Sequence, residues 1–109
     1  MPTFARLPKA EGYRRIDFKK AEIHPGIIPK TFILVVRGTK PYVNMEVNLK
    51  PLVYVKQPDY WGIEVVGSLN GPGLPKLTPY TTSIRLDGIR GTKGIEVMGA
   101  IRSKKIDIK

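Results

Sequence analysis

Cysteine is absent from this chain of 109 residues, and histidine occurs once, at His24. The absence of cysteine excludes disulfides, thiolate metal sites and thiol nucleophiles. A catalytic or metal-binding histidine needs carboxylates or hydroxyl groups around it, and only Glu22 lies near His24 in the sequence. We therefore expect no metal site, no cofactor and no catalytic residues.

Patterns typical of helices are also scarce. No segment of eleven or more residues keeps apolar residues at helical spacing without one of the 11 glycines or 10 prolines. The longest apolar run, Phe32 to Val36, is far too short to span a bilayer, and the first residues lack the apolar stretch of a signal peptide. We therefore expect a single domain without a transmembrane segment, in the cytoplasm.

Short alternating or wholly apolar stretches are frequent instead. Residues 42–49 and 78–87 alternate apolar and polar side chains, and residues 31–37 are apolar on both faces, as in a central strand. Glycine and proline turns separate about eight such stretches, a spacing typical of a sandwich or small barrel. The sequence predicts a mainly antiparallel, all-β domain over residues 13–109, preceded by a loose arm over residues 1–12.

Three further segments can be assigned from this pattern. Residues 13–20 are predicted as one strand, with Ile16 and Phe18 on one face. Residues 52–57, which follow Pro51, are predicted as another strand. Between these two, Gly38-Thr39-Lys40-Pro41 predicts a turn.

Two segments of the chain nearly match each other. Residues 62–69 read GIEVVGSL and residues 94–101 read GIEVMGAI, with five of eight positions identical. Each segment has a glycine before a β-branched run and a second glycine five residues later. Glycine inside a strand marks a bulge or a close backbone approach. We interpret the two copies as one strand design used twice, at equivalent positions of two sheets or two halves.

The formal net charge is +10, from 19 Lys and Arg against 9 Asp and Glu. Such an excess favours a polyanionic partner, although it is also compatible with a protein that is merely soluble at high charge. Seven cations lie on or beside the first and last predicted strands: Arg14, Arg15, Lys19, Lys20, Arg102, Lys104 and Lys105. If these strands share one end of the domain, the cations form a patch that binds phosphates. The alternative is that the lysines protect edge strands from aggregation.

Other residues that carry chemistry have simpler interpretations. Glu64 and Glu96 occupy the same place in the two copies, but they alternate with apolar residues, so cross-strand pairs with cations are favoured over a catalytic pair. The loop GIRGTKG, residues 88–94, holds two cations among three glycines. It suggests a phosphate cradle, but an ordinary turn is favoured. Trp61 is interpreted as a packing residue more than a base-stacking one.

These observations predict a small binding module without enzymatic activity, which contacts nucleic acid or another polyanion through its basic surface. The alternative is a protein-interaction or assembly domain, in which an edge strand extends a partner's sheet or the chain forms a homo-oligomer. A contiguous basic patch favours the first function, and an even scatter of cations favours the second. An enzyme would need a pocket that gathers His24 or the two glutamates.

Overall fold

The computed structural model describes residues 13–108, so the predicted arm over residues 1–12 lies outside the described residues. Eight strands and no helix occur within them. The strands are β1 (Tyr13–Arg15), β2 (Lys20–Pro25), β3 (Phe32–Tyr42), β4 (Glu46–Pro51), β5 (Tyr60–Ser68), β6 (Pro75–Arg85), β7 (Gly94–Met98) and β8 (Ser103–Asp107). The prediction of an all-β domain is confirmed.

The strands form two sheets that pack face to face. A five-stranded sheet has the order β1-β5-β7-β8, with β4 also paired to β5, and a three-stranded sheet has the order β2-β3-β6. The core between them includes seven side chains with almost no exposed surface: Leu34, Val36, Ile63, Val65, Leu86, Ile95 and Val97. Of the two predicted architectures, the structure is the sandwich, since neither sheet closes on itself.

The two copies of the repeated segment lie side by side in one sheet. Strands β5 and β7 pair in parallel, with Trp61 opposite Ile95 and Ile63 opposite Val97. The other strand pairs are antiparallel, as predicted. The copies are staggered by two residues, because Gly62 faces Glu96 and not Gly94. A stagger of two preserves the alternation of a strand, so the apolar residues of both copies face the core.

The second glycine of each copy gives room to the same crossing segment of the chain. A side chain at Gly67 would meet Ile16 and Met45, and a side chain at Gly99 would meet Asp17 and Phe18. Residues 16–19 leave the five-stranded sheet after β1 and enter the three-stranded sheet at β2. Each copy of the repeat therefore has a glycine near its end because the crossing segment passes close to the strand at that point.

The structure corrects three sequence-based assignments. Residues 13–20 form parts of two strands in different sheets, joined by the crossing segment. Residues 38–41 are not a turn but the end of β3, because the ring of Tyr80 on β6 lies over Gly38 and a bulge accommodates Pro41. Residues 52–57 are irregular, since they leave the ladder after Leu52 and are held by side chains.

The first glycines of the two copies provide a matched pair of stability tests. An added Cβ at Gly94 would overlap the backbone carbonyl of Ile106 on β8, whereas at Gly62 it would meet the Leu52 and Met98 side-chain ends at 2.8 and 2.9 Å. Side-chain ends can move, but the paired backbone cannot. We expect Gly94→Ala to lower the free energy of unfolding by about 3 kcal/mol and Gly62→Ala by about 1 kcal/mol. Urea denaturation measures both, and equal losses would contradict this account of the β7–β8 pairing.

Candidate functional site

The segment that crosses between the sheets, residues 16–19, forms a corner on one side of the sandwich. Its two ends are fixed by backbone hydrogen bonds, from Ile16 N to Val65 O at 3.0 Å and from Lys19 N to Arg37 O at 2.8 Å. The Ile16 and Phe18 side chains are buried in the core. Asp17 and Lys19 alternate with them, so the buried residues determine where these two polar side chains lie.

Tyr80 supports the corner from within the three-stranded sheet. Its ring lies across Gly38 on the neighbouring strand, and its hydroxyl donates a 2.8 Å hydrogen bond to the Asp17 carbonyl. Burial, with a smaller contribution from the nearby Asp17 charge, raises the pKa of Tyr80 to about 12. The hydroxyl therefore stays protonated as a donor at neutral pH.

Two open clefts adjoin the corner and share Asp17 and Thr39 in their walls. One, of about 200 Å³, is lined by Lys19 and Arg102 in addition to these. The other, of about 250 Å³, is lined by Arg14 and Arg15. The structure thus brings together four of the seven predicted cations, from β1, the corner and the turn between β7 and β8. We call Arg14, Arg15, Lys19 and Arg102 the corner cations.

Acidic residues hold two of the corner cations. The Arg15 Nε and Nη2 atoms approach Glu64 Oε2 at 2.8 and 2.7 Å, and Arg102 Nε lies 3.4 Å from Asp17 Oδ2. Asp17 Oδ1 is shielded from solvent and lacks a hydrogen-bond partner within the described part of the chain. Arg14 is positioned differently, with its guanidinium 6.0 Å from the centre of the Tyr42 ring.

The other three predicted cations lie away from the clefts. Lys20 pairs with Glu22 at 3.1 Å, and this hydrogen bond lowers the pKa of Glu22. Lys104 and Lys105 are on β8, a strand at the edge of its sheet, and alternate between its two faces. Lys104 Nζ lies 3.3 Å from the Ala21 carbonyl on β2 and so bridges the edges of the two sheets. The first and last strands do not pair, and the seven cations do not form a single cluster.

The two glutamates of the repeat lie on the outer face of the five-stranded sheet, consistent with the favoured interpretation. Glu64 is paired with Arg15, and Glu96 is opposite Lys105 in the β7–β8 register. His24 lies 3.4 Å from Glu22 at an exposed position. Over residues 13–108, no three acidic or histidine side chains converge in a way that could hold a metal ion.

The glycine-rich loop before β7 does not offer a phosphate cradle. Thr92 N donates to Pro58 O, and Lys93 N and Gly94 N both donate to Asp59 O. Because these donors already bind backbone carbonyls, they are not available to an anion. Trp61 packs against the core, donates from Nε1 to Leu52 O at 2.9 Å and meets the Tyr54 ring edge-on, which agrees with a packing role.

Sequence reasoning missed the cleft residues that come from other elements. Thr39 and Pro41 belong to β3, where the sequence predicted a turn, and Ala100 follows β7. None of them carries a pattern that points to a surface cleft. Asp17 could have been suspected, as the single acid among the cations of residues 14–20.

Comparisons with known family models, curated proteins and solved structures find no match to this chain. Residues 13–108 contain no helix that is long and apolar enough to cross a membrane.

The raised pKa of Tyr80 predicts a loss of stability at alkaline pH. The tyrosine ionises near pH 10 when unfolded and near pH 12 in the folded chain, so its contribution is complete below pH 10 and is lost as the pH rises towards 12. We expect Tyr80→Phe to cost about 1 kcal/mol at neutral pH, through the lost hydrogen bond. The variant should also lose about 1 to 2 kcal/mol less stability than the wild type between pH 10 and pH 12.

Denaturation at a series of pH values measures both effects. Tyr60→Phe is the control, because Tyr60 also has a raised pKa, from its hydrogen bond to Asp107, but lies at the surface. An alkaline decline that is the same in wild type and Tyr80→Phe would show that Tyr80 does not support the corner in this way.

Proposed function

We propose that the chain is a binding module, without catalytic activity, that holds the phosphate backbone of nucleic acid at the corner. The observation that carries the proposal is the arrangement of the corner cations around two adjoining clefts. A phosphate backbone presents anionic oxygens at regular intervals, and cations on both sides of a shared wall suit two successive phosphates. A cytoplasmic location is part of the same proposal.

The ion pairs at the corner favour a fixed geometry. Glu64 binds one edge of the Arg15 guanidinium, and Asp17 binds Arg102 through Nε alone, which leaves other N–H donors on both side chains. A guanidinium held by a carboxylate keeps its charge and loses little further conformational entropy when it binds phosphate. Arg14 and Lys19 are exposed and add two cations that none of the described carboxylates holds in place.

The acids also limit the strength of the site. Four cations and two carboxylates give the corner a local excess of two positive charges, and the rest of the +10 charge acts at longer range. Among residues 13–108, no exposed aromatic residue that could stack on bases lines either cleft. We therefore expect salt-dependent binding with little sequence preference, in which backbone contacts dominate.

Assembly by sheet extension remains the alternative, but two of the edge strands, β6 and β8, do not favour it. β6 contains Pro75 and Pro79, which cannot donate a ladder hydrogen bond, and β8 carries Lys104 and Lys105. Both are common ways to prevent strands from pairing with another chain. The position of these two lysines agrees with an edge-protecting role, so the phosphate proposal depends on the corner cations alone.

A charge-matched set of variants tests the proposal. Arg14→Gln/Lys19→Gln/Arg102→Gln removes three corner cations, whereas Lys30→Gln/Lys56→Gln/Lys93→Gln removes three exposed cations elsewhere. Fluorescence anisotropy with duplex and single-stranded oligonucleotides, at several salt concentrations, gives the log–log slope of affinity against salt. We expect the corner variant to flatten the slope on duplex by up to about 3 units, at about 0.9 per phosphate contact.

The control variant should keep most of the slope, since it changes only the long-range field. A third variant, Lys20→Gln/Lys104→Gln/Lys105→Gln, shows whether the outlying predicted cations take part. Equal effects of all three variants would replace the corner site with diffuse attraction, and no binding at low salt would reject nucleic acid as the partner. Urea denaturation of each variant confirms that the fold is retained.

A further inference from the structure

One end of the sandwich exposes aliphatic side chains on two separate loops. Ile27, in the hairpin between β2 and β3, is 102% exposed, and its neighbour Ile28 is 59% exposed. Val53 and Val55, between β4 and β5, are 96% and 104% exposed. Isolated apolar residues are common on protein surfaces, but two pairs at loop tips form a larger unfavourable contact with water.

The conformation of the hairpin tip holds its two isoleucines at the surface. Gly26 N donates to Thr31 O at 2.8 Å, and Thr31 donates to Ile28 O from both N, at 3.2 Å, and Oγ1, at 2.5 Å. Lys30 has a φ of 68°, the left-handed conformation that closes the turn. Because internal hydrogen bonds already fix the backbone of the tip, little further conformational entropy is lost when Ile27 contacts a binding partner.

The valines are presented by a second anchored segment. Leu52 O accepts a hydrogen bond from Trp61 Nε1 at 2.9 Å, and the Tyr54 hydroxyl accepts one from Gly62 N at 3.1 Å. The Leu52 side chain and the Tyr54 hydroxyl both lie against Gly62, so these two residues face the sheet. Val53 and Val55, which alternate with them, are left at the surface.

A third loop, residues 86–93, joins the two tips at the same end of the molecule. The Arg90 guanidinium lies 5.3 Å from the centre of the Phe32 ring at the base of the hairpin, and its carbonyl accepts from Gln57 Nε2 at 2.8 Å. We call residues 26–31, 52–59 and 86–93 the loop end. Five cations lie on these loops or at the adjoining end of β6, against two acids, Asp59 and Asp87. The cations are Lys30, Lys56, Arg85, Arg90 and Lys93.

We propose that the loop end binds the surface of an anionic phospholipid bilayer. The isoleucines and valines enter the boundary between headgroups and acyl chains, and the surrounding cations meet the lipid phosphates. Two pairs of exposed aliphatic residues on separate loops suit a deformable lipid surface. The isoleucine pair also lines an open cleft of about 300 Å³, together with Phe32 and Arg85. Positive charge around the apolar tips complements an anionic leaflet, and this charge complementarity is what favours lipid as the occupant.

Co-sedimentation of the full chain with vesicles tests the proposal. Vesicles of phosphatidylcholine alone are compared with vesicles in which one-third of the lipid is phosphatidylserine. We expect binding to the anionic vesicles, and a loss of about tenfold or more in Ile27→Ser/Ile28→Ser, because each buried methylene contributes roughly fourfold. Leu74→Ser/Leu77→Ser is the matched control, since both leucines are exposed near the opposite end of β3.

Charge variants separate this surface from the corner. Lys30→Gln/Lys56→Gln/Lys93→Gln should weaken vesicle binding by roughly fivefold for each cation near the lipid. Arg14→Gln/Lys19→Gln/Arg102→Gln should weaken it far less. Equal losses in the two isoleucine and leucine variants, or no binding to anionic vesicles at low salt, would overturn the proposal. It would also be overturned if Ile27→Ser/Ile28→Ser abolished a dimer in light scattering, or duplex binding, while leaving vesicle binding intact.

Discussion

The parallel pairing of β5 with β7 is the constraint on which the rest of the sandwich depends. β5 also pairs with β1 and β4, so three of the other four strands in its sheet are direct neighbours of β5. The pairing brings the two copies of the repeated segment together and aligns their apolar residues against the three-stranded sheet. It also ends both copies at the same side, where Gly67 and Gly99 let residues 16–18 cross between the sheets. The corner and its clefts exist because these strands end there.

The charged side chains at the corner and at the loop end are arranged differently. At the corner, carboxylates of Asp17 and Glu64 orient arginines, so part of the positive charge is used to fix the side chains. At the loop end, Arg90 stacks on Phe32, while Lys30, Lys56 and Lys93 are exposed at the surface. The first arrangement suits a ligand with regularly spaced anions, and the second suits a broad anionic surface. Net charge alone does not distinguish them.

The sequence predicted the fold class because local patterns determine it. Alternation over residues 78–87 placed Tyr80, Thr82, Ile84 and Leu86 on one face, and the structure places the Tyr80 and Leu86 side chains in the core. Crossing of the chain at residues 16–19 was not predictable, since Ile16 and Phe18 alternate as they would in one continuous strand. Gly38 and Pro41 resembled a turn because the Tyr80 ring that needs Gly38 is distant in the sequence.

The candidate site was predicted only in part, for the same reason. The sequence grouped Arg14, Arg15 and Lys19 with Arg102 as part of a larger set of seven cations. The structure places these four at the corner, because the turn before β8 meets the segment that follows β1. The edge position of Lys104 and Lys105 depends on strand order, which the sequence does not specify. Thr39 lines both clefts from a distant strand, and non-local contacts of this kind leave no local pattern.

The route of the chain through β1 has a consequence for folding kinetics. Tyr13 pairs with Ser68, and Tyr60 pairs with Gly94, so closure of the five-stranded sheet joins residues far apart in sequence. Such pairings carry a large loop-closure entropy before they gain contacts, and chains that depend on them fold slowly. The corner needs β1, β5 and the turn after β7 in place together, so its clefts form late. A partly folded chain carries the same net charge but lacks the arrangement of the corner cations around the two clefts. Its attraction for an anion is then that of any basic polymer.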